Sequence, residues 1–172
     1  MTLPILAQDS TRTETPPPKP KQEKGQKIYF GGNLGLTVGN YTRIGIYPLV
    51  GYKLTPKLSA GVKFAYEYIR DNRYSSSYET SNYGASIFAR YRLIPALYVH
   101  VEFAEMNYEL YNSLGESNRE WIPFILVGGG YSKKLSQRTW LNAQVLFDVL
   151  QDERSPYSSW NPIFSIGIGV GF

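Results

Sequence analysis

Residues 161–172 read NPIFSIGIGVGF. From Phe164 onward the residues Phe164, Ile166, Ile168, Val170 and Phe172 alternate with Ser165, Gly167, Gly169 and Gly171. A period of two marks a β-strand, because successive side chains point to opposite faces of the sheet. One face of this strand is wholly apolar and the other is nearly bare. Such a strand cannot stand alone. What it belongs to depends on whether the preceding chain repeats the pattern.

Seven earlier runs repeat it. In KIYFGGNLGLTV, beginning at Lys27, the faces are Ile28, Phe30, Leu34, Leu36 and Val38 against Tyr29, Gly31, Asn33, Gly35 and Thr37. Gly39-Asn40 then signals a tight hairpin. The next run sets Ile44, Ile46, Val50 and Tyr52 against Arg43, Gly45, Tyr47, Gly51 and Lys53. Pro48 within it predicts a bulge or local irregularity, since proline cannot donate to a ladder. The third, fourth and fifth runs put Lys63 and Glu67, then Arg90, then His100 and Glu102 on the polar face. The sixth, WIPFILVGGGY, places Ile125, Val127 and Tyr131 on the apolar face, but Phe124 and Leu126 opposite them are apolar too. The seventh alternates Leu141, Ala143, Val145, Phe147 and Val149 with Trp140, Asn142, Gln144 and Asp148.

Eight antiparallel strands in a meander are therefore expected. Short turns at Thr55–Lys57, Ile94–Ala96 and Lys134–Arg138 alternate with long polar loops at Arg70–Thr80, Asn107–Arg119 and Gln151–Ser159.

Alternation alone allows a soluble barrel with its apolar face inward or a membrane barrel with that face outward. Three features favour the membrane. The strands approach the ~9–11 residues that cross a bilayer at a tilt. Tyr52, Tyr91 and Tyr131 lie by the short turns and Tyr66, Tyr68 and Tyr83 by the long loops, as two interfacial girdles would require. The second face is small and polar, which suits a narrow eight-strand interior. The fold expected is all-β, an eight-stranded antiparallel up-and-down transmembrane barrel over residues 27–172. Lys63, Glu67, Arg90, His100 and Glu102 are expected to pair inside it, because unpaired charges in a narrow lumen are costly. Asp148 faces the same way.

The closing run resembles the C-terminal signal of Gram-negative outer-membrane barrels. The resemblance implies that Phe164, Ile166, Ile168, Val170 and Phe172 are recognised by the barrel-assembly machinery, and that the last strand pairs with the first. The physical need is the same: an open strand edge in lipid leaves backbone groups unpaired at several kcal/mol each. The whole segment from Lys27 resembles small OmpA/OmpX-type barrels, and its Tyr-rich strands resemble the outer-membrane β-barrel family of Bacteroidetes. This implies an outer-membrane location with both termini periplasmic, contact with lipid and lipopolysaccharide, and a structural or surface-interaction role. A barrel without a following peptidoglycan-binding domain is expected.

The N-terminal part is different. Residues 1–7, ending Ile5-Leu6-Ala7, read as a signal-peptide remnant. Residues 8–26 carry Pro16, Pro17, Pro18 and Pro20 among charged residues, and read as a disordered tail.

Composition narrows the function. Among 172 residues there are 15 Tyr, 8 Phe, 3 Trp and 16 Gly, a β-rich balance. Cysteine is absent, which removes disulfides and thiolate metal sites. Net charge is +4 but forms no stripe that would track phosphates, so no nucleic acid is expected. No nucleophile motif, metal-ligand spacing or phosphate loop occurs, so neither catalysis nor a cofactor is expected. The single histidine, His100, falls on the polar face beside Glu102. The loops are rich in Tyr, Ser and Asn, a composition suited to recognition, and a protein partner could be reached through them or the tail. The alternatives are a subunit of a larger complex, a narrow solute pore and a lipid A-modifying enzyme.

Overall fold

The computed structural model describes residues 27–37, 41–72, 78–111, 117–155 and 160–171. The N-terminal segments 1–7 and 8–26, the Gly39-Asn40 turn and Phe172 lie outside them.

Eight strands follow in order: β1 (Ile28–Thr37), β2 (Tyr41–Lys53), β3 (Leu58–Asp71), β4 (Tyr78–Ile94), β5 (Leu97–Tyr111), β6 (Ser117–Lys134), β7 (Thr139–Asp148) and β8 (Ile163–Val170). Each pairs antiparallel with its neighbour, and β8 pairs with β1 to close the barrel. Closure leaves no free sheet edge over the paired length. At the end where the chain leaves β8, Lys53 Nζ donates to the Gly171 carbonyl at 3.0 Å and ties β2 to the seam. We call this the terminal end, since β1 begins there and the short turns lie there. The opposite rim is the loop end.

The apolar faces look outward. Phe30, Ile46, Val62, Phe64, Ile87, Val101, Phe103, Ile166 and Ile168 are all exposed. Tyr52, Tyr91 and Tyr131 are exposed near the terminal rim, and Tyr66 and Tyr83 towards the loop rim. Tyr83 and Trp121 meet edge to face, with ring centroids 5.9 Å apart. A continuous apolar belt edged by aromatic rings suits lipid, not water. The barrel is transmembrane. No described helix is long and apolar enough to cross a membrane, and the strands make the crossing.

Three details sharpen or correct the expectations. Of the two outcomes expected at Pro48, the structure has the local irregularity and not the bulge: β2 pairs β3 at Ile46–Tyr66 and again at Leu49–Lys63 in the same register, with the ladder broken around the proline. Among the described residues, a register shift lies between Arg92 and Ile94, at the β4–β5 turn. The stretch Asn107–Arg119 is not all loop, because β5 continues to Tyr111 and β6 begins at Ser117. Its outer face turns polar at Glu105 and Asn107, so hydrophobic alternation fades while backbone pairing goes on. Arg119 covers this region, donating to Asn107 Oδ1 at 2.9 Å and lying over the Tyr83 ring.

Candidate functional site: the barrel lumen

Inward side chains divide the lumen into two levels. Near the terminal end, Tyr29, Leu49 and Phe88 form a buried cluster. Space for the rings comes from glycines on adjacent strands. A Cβ at Gly51 would sit 2.0 Å from the Tyr29 ring, and one at Gly130 would sit 2.4 Å from the Tyr98 hydroxyl. Gly130, in the middle of β6, is thus a packing site for the Tyr98 ring. Tyr29 Oη donates to Ser59 Oγ at 3.1 Å, and Tyr98 Oη donates to Gln144 Oε1 at 3.1 Å.

Above these rings lies a chain of charge. Lys63 Nζ donates to Glu102, at 2.6 Å from one carboxylate oxygen and 2.7 Å from the other. His100 Nε2 lies 2.9 Å from Glu102 Oε2. On the other side of the imidazole, Arg90 Nε donates to Nδ1 at 2.9 Å. A guanidinium can only donate, so Nδ1 must be the acceptor and the ring proton sits on Nε2, pointing at the carboxylate. The Arg90 guanidinium also stands over the Phe88 and Tyr98 rings at 4.8 and 5.1 Å. Phe88 stacks on His100. The buried arginine is thus held by aromatic faces and linked to Glu102 through His100.

The five charged or polar residues expected in one network do not form one. Lys63, Glu102, His100 and Arg90 are contiguous, whereas Glu67 belongs elsewhere. It accepts from Arg43, and Tyr47 Oη donates to it at 2.6 Å. Arg43 also donates to Tyr47 Oη at 3.1 Å. Glu67 lies directly opposite β2 Gly45 in the ladder, and its carboxylate reaches towards β2, not towards β5. Arg43 and Tyr47 fall on the polar face in sequence, but nothing in the period says that they reach Glu67 first. Asp148 is inward and buried at the end of β7, where it accepts from the backbone of Leu150 at 3.0 Å.

Above the charges the lumen is hollow. A cavity of about 470 Å³ is bordered on one side by Arg43, Tyr47, Lys63 and Glu67. Its other side is apolar, from Ala104, Met106, Tyr108, Phe124, Leu126 and Leu146. Phe124 and Leu126, ambiguous in the sequence, are therefore lumen residues. The interior is less polar than the reading of small and charged side chains implied. Among the described residues no group of metal-ligating side chains is found.

Of the closing strand, Phe164, Ile166, Ile168 and Val170 face outward, and Phe172 lies outside the described residues.

No protein-family model matches the chain, and no curated protein is similar to it. Solved structures are similar in fold. The N-terminal β-barrel domain of Pseudomonas aeruginosa OprF is 17% identical over 86% of this chain and 98% of that one, with a TM-score of 0.49. The Yersinia pestis outer membrane protein Ail, in a phospholipid bilayer nanodisc, is 10% identical over 84% of this chain and 98% of that one, with a TM-score of 0.49. The de novo designed TMB2.3 is 16% identical over 87% and 96%, with a TM-score of 0.45.

Proposed function

We propose that the chain is an integral protein of a bacterial outer membrane, with both termini in the periplasm and a structural or cell-surface interaction role. The observation that carries this is the outward apolar belt with tyrosines towards both rims, around a lumen whose terminal half is filled. In this reading the Tyr29–Phe88–Tyr98 rings and the Arg90–His100–Glu102–Lys63 chain act as a plug, and the barrel does not conduct. Both imidazole nitrogens of His100 are engaged within that chain, which supports a structural histidine and no catalysis. The barrel-assembly machinery inserts the chain by its last strand, and lipid and lipopolysaccharide surround it.

The test is planar-bilayer recording on protein whose unboiled form migrates differently from the boiled form on a gel. Closed backbone pairing resists cold detergent, so the two forms should differ. The bilayer should stay silent. Stable ion-selective steps would remove the plug and favour a solute pore. Deleting Phe172 should cut membrane insertion sharply, while deleting residues 2–24 should not. Equal yields from the two deletions would remove the terminal-strand signal.

A further inference from the structure

The ladder between β1 and β8 is incomplete. It runs from Phe30–Val170 to Leu34–Ile166 and, among the described residues, ends there. Continuing the same register would pair Gly35 with Ser165, Leu36 with Phe164 and Thr37 with Ile163. Those residues are all in strands and pair on their other sides, with β2 and β7. So the wall of the barrel is open between two ordered strands. The three atoms nearest to a Cβ placed on Gly35 all belong to Tyr47, at 3.4 to 3.9 Å, whereas at Gly31, in the closed part of the seam, the nearest is the Ile168 carbonyl oxygen of β8 at 2.9 Å. A side-chain bond from Asn33 Nδ2 to Ser165 Oγ, 3.1 Å long, spans the last closed step. Leu34 and Phe164, on the two sides of the opening, are 72% and 76% exposed, more than any other large apolar side chain described.

The opening leads into the cavity. Leu34, Gly35, Phe164 and Ser165 border it along with the lumen residues. Its volume falls within the ~300–1,000 Å³ of small-molecule sites. Irregular backbone at membrane depth is tolerated where it lines such a space. The cavity wall is two-sided, apolar on β5–β7 and polar on β2–β3. On the polar side each cation already has a carboxylate, Arg43 with Glu67 and Lys63 with Glu102. Between the two sides stands Ser86, 7% exposed and lining the cavity, whose Oγ has no hydrogen-bond partner among the described residues. A buried hydroxyl without a partner is costly, and a ligand with a hydrogen-bonding group would relieve it.

The geometry points to a binding site for a neutral single-chain amphiphile in the loop half of the lumen, entered from the bilayer between β1 and β8. The alkyl chain lies against Met106, Phe124 and Leu146, and an uncharged hydroxyl or carbonyl head bonds to Ser86. Charge pairing disfavours an ionic head, and the opening faces the phase in which such molecules dissolve.

The experiment uses the full chain in liposomes with a diazirine-bearing 1-decanol, photolysed and mapped by mass spectrometry. Adducts are expected on lumen residues Met106, Phe124 and Tyr108 as well as on outward Ile87 and Phe103. Outward adducts without lumen adducts would overturn the site while leaving the transmembrane reading intact. Absence of outward adducts would overturn both. Ala104→Phe should project a ring into the cavity where the alkyl chain lies and reduce lumen labelling at least fivefold with the outward labelling unchanged. Undiminished lumen labelling in that variant would overturn the site. Unlabelled 1-decanol should compete, and decyl sulfate at the same bilayer concentration should not; effective competition by the sulfate would overturn the uncharged head. Bridging Gly35→Cys to Ser165→Cys with a short bis-methanethiosulfonate, each thiolate displacing methanesulfinate, should slow lumen labelling at least threefold. An unchanged rate in the bridged protein would overturn entry through the seam.

Discussion

In the terminal half of the lumen, three aromatic rings and an arginine occupy the space that glycines on adjacent strands leave free. In the loop half the small inward residues Ala65, Ser86, Ala104 and Ser165 share the cavity wall with Tyr47, Met106, Tyr108, Phe124 and Leu146. Both halves use the same eight strands and hence the same barrel radius. The difference is therefore one of which inward side chains neighbouring strands set beside one another. Small residues opposite large ones make a filled layer, as Gly51 does for Tyr29. Small residues opposite apolar ones of moderate size leave a void. A narrow barrel can thus be densely packed at one level and hollow at the next without a change in strand number.

The largest expected effect comes from adding volume to the filled half. Gly51→Val would place its side chain inside the Tyr29 ring, and Tyr29 is fully buried with nowhere to turn. We expect a loss of about 3 kcal/mol, read as a fall in the urea midpoint of the folded gel band. Ala104→Leu, in the hollow half, should cost less than about 1 kcal/mol because it grows into empty space. Equal losses would break the contrast.

Next comes charge. Glu102→Ala leaves Lys63 and His100 without their shared acceptor in a buried setting, and should cost about 1–3 kcal/mol. Glu67→Ala should cost under about 1 kcal/mol, since the Arg43 side chain is 25% exposed and water can take over. Denaturant unfolding of the two variants side by side measures this. A larger loss at Glu67 would mean that the upper pair supports the barrel.

A third comparison uses current. The double change Tyr29→Ala and Tyr98→Ala removes two rings from the filled layer and should produce small conductance steps in a planar bilayer. Tyr108→Ala, which only enlarges the cavity above, should leave the membrane silent. Steps from the Tyr108 variant would show that the barrier lies higher than the rings.

The smallest effect lies outside the lumen, at the loop end. Arg154 grips Asp152 with Nε at 2.9 Å and Nη2 at 2.8 Å, and its own backbone N–H also donates to that carboxylate. These bonds hold the Asp152 carboxyl down at about 2. A depressed value means that the contact persists as pH falls through the ordinary carboxylate range and is released only near pH 2. A carbon-detected NMR titration of Asp152 should show this. Asp152→Asn should leave the gel shift and the unfolding midpoint unchanged. Titration near the usual carboxylate value would mean that the Arg154 contact does not hold in solution.

Much of this molecule is written in its period. Strand number, order and outward face follow from alternation, because a side chain's face depends only on its position in the strand. Tyr52, Tyr91 and Tyr131 could be placed near one rim, and Tyr66 and Tyr83 near the other, from their distance to the turns. That Lys63, Arg90, His100 and Glu102 point inward was equally legible. Which of them touch was decided by the closed barrel alone. Contact inside the lumen depends on tilt, stagger and the room left by glycines on adjacent strands, and none of these has a period. So Glu67 parted from Glu102 to join Arg43 and Tyr47, Tyr29 found its space at Gly51, and β1 met β8 over only part of its length. Alternation determines which way a residue faces, and closure determines what it meets.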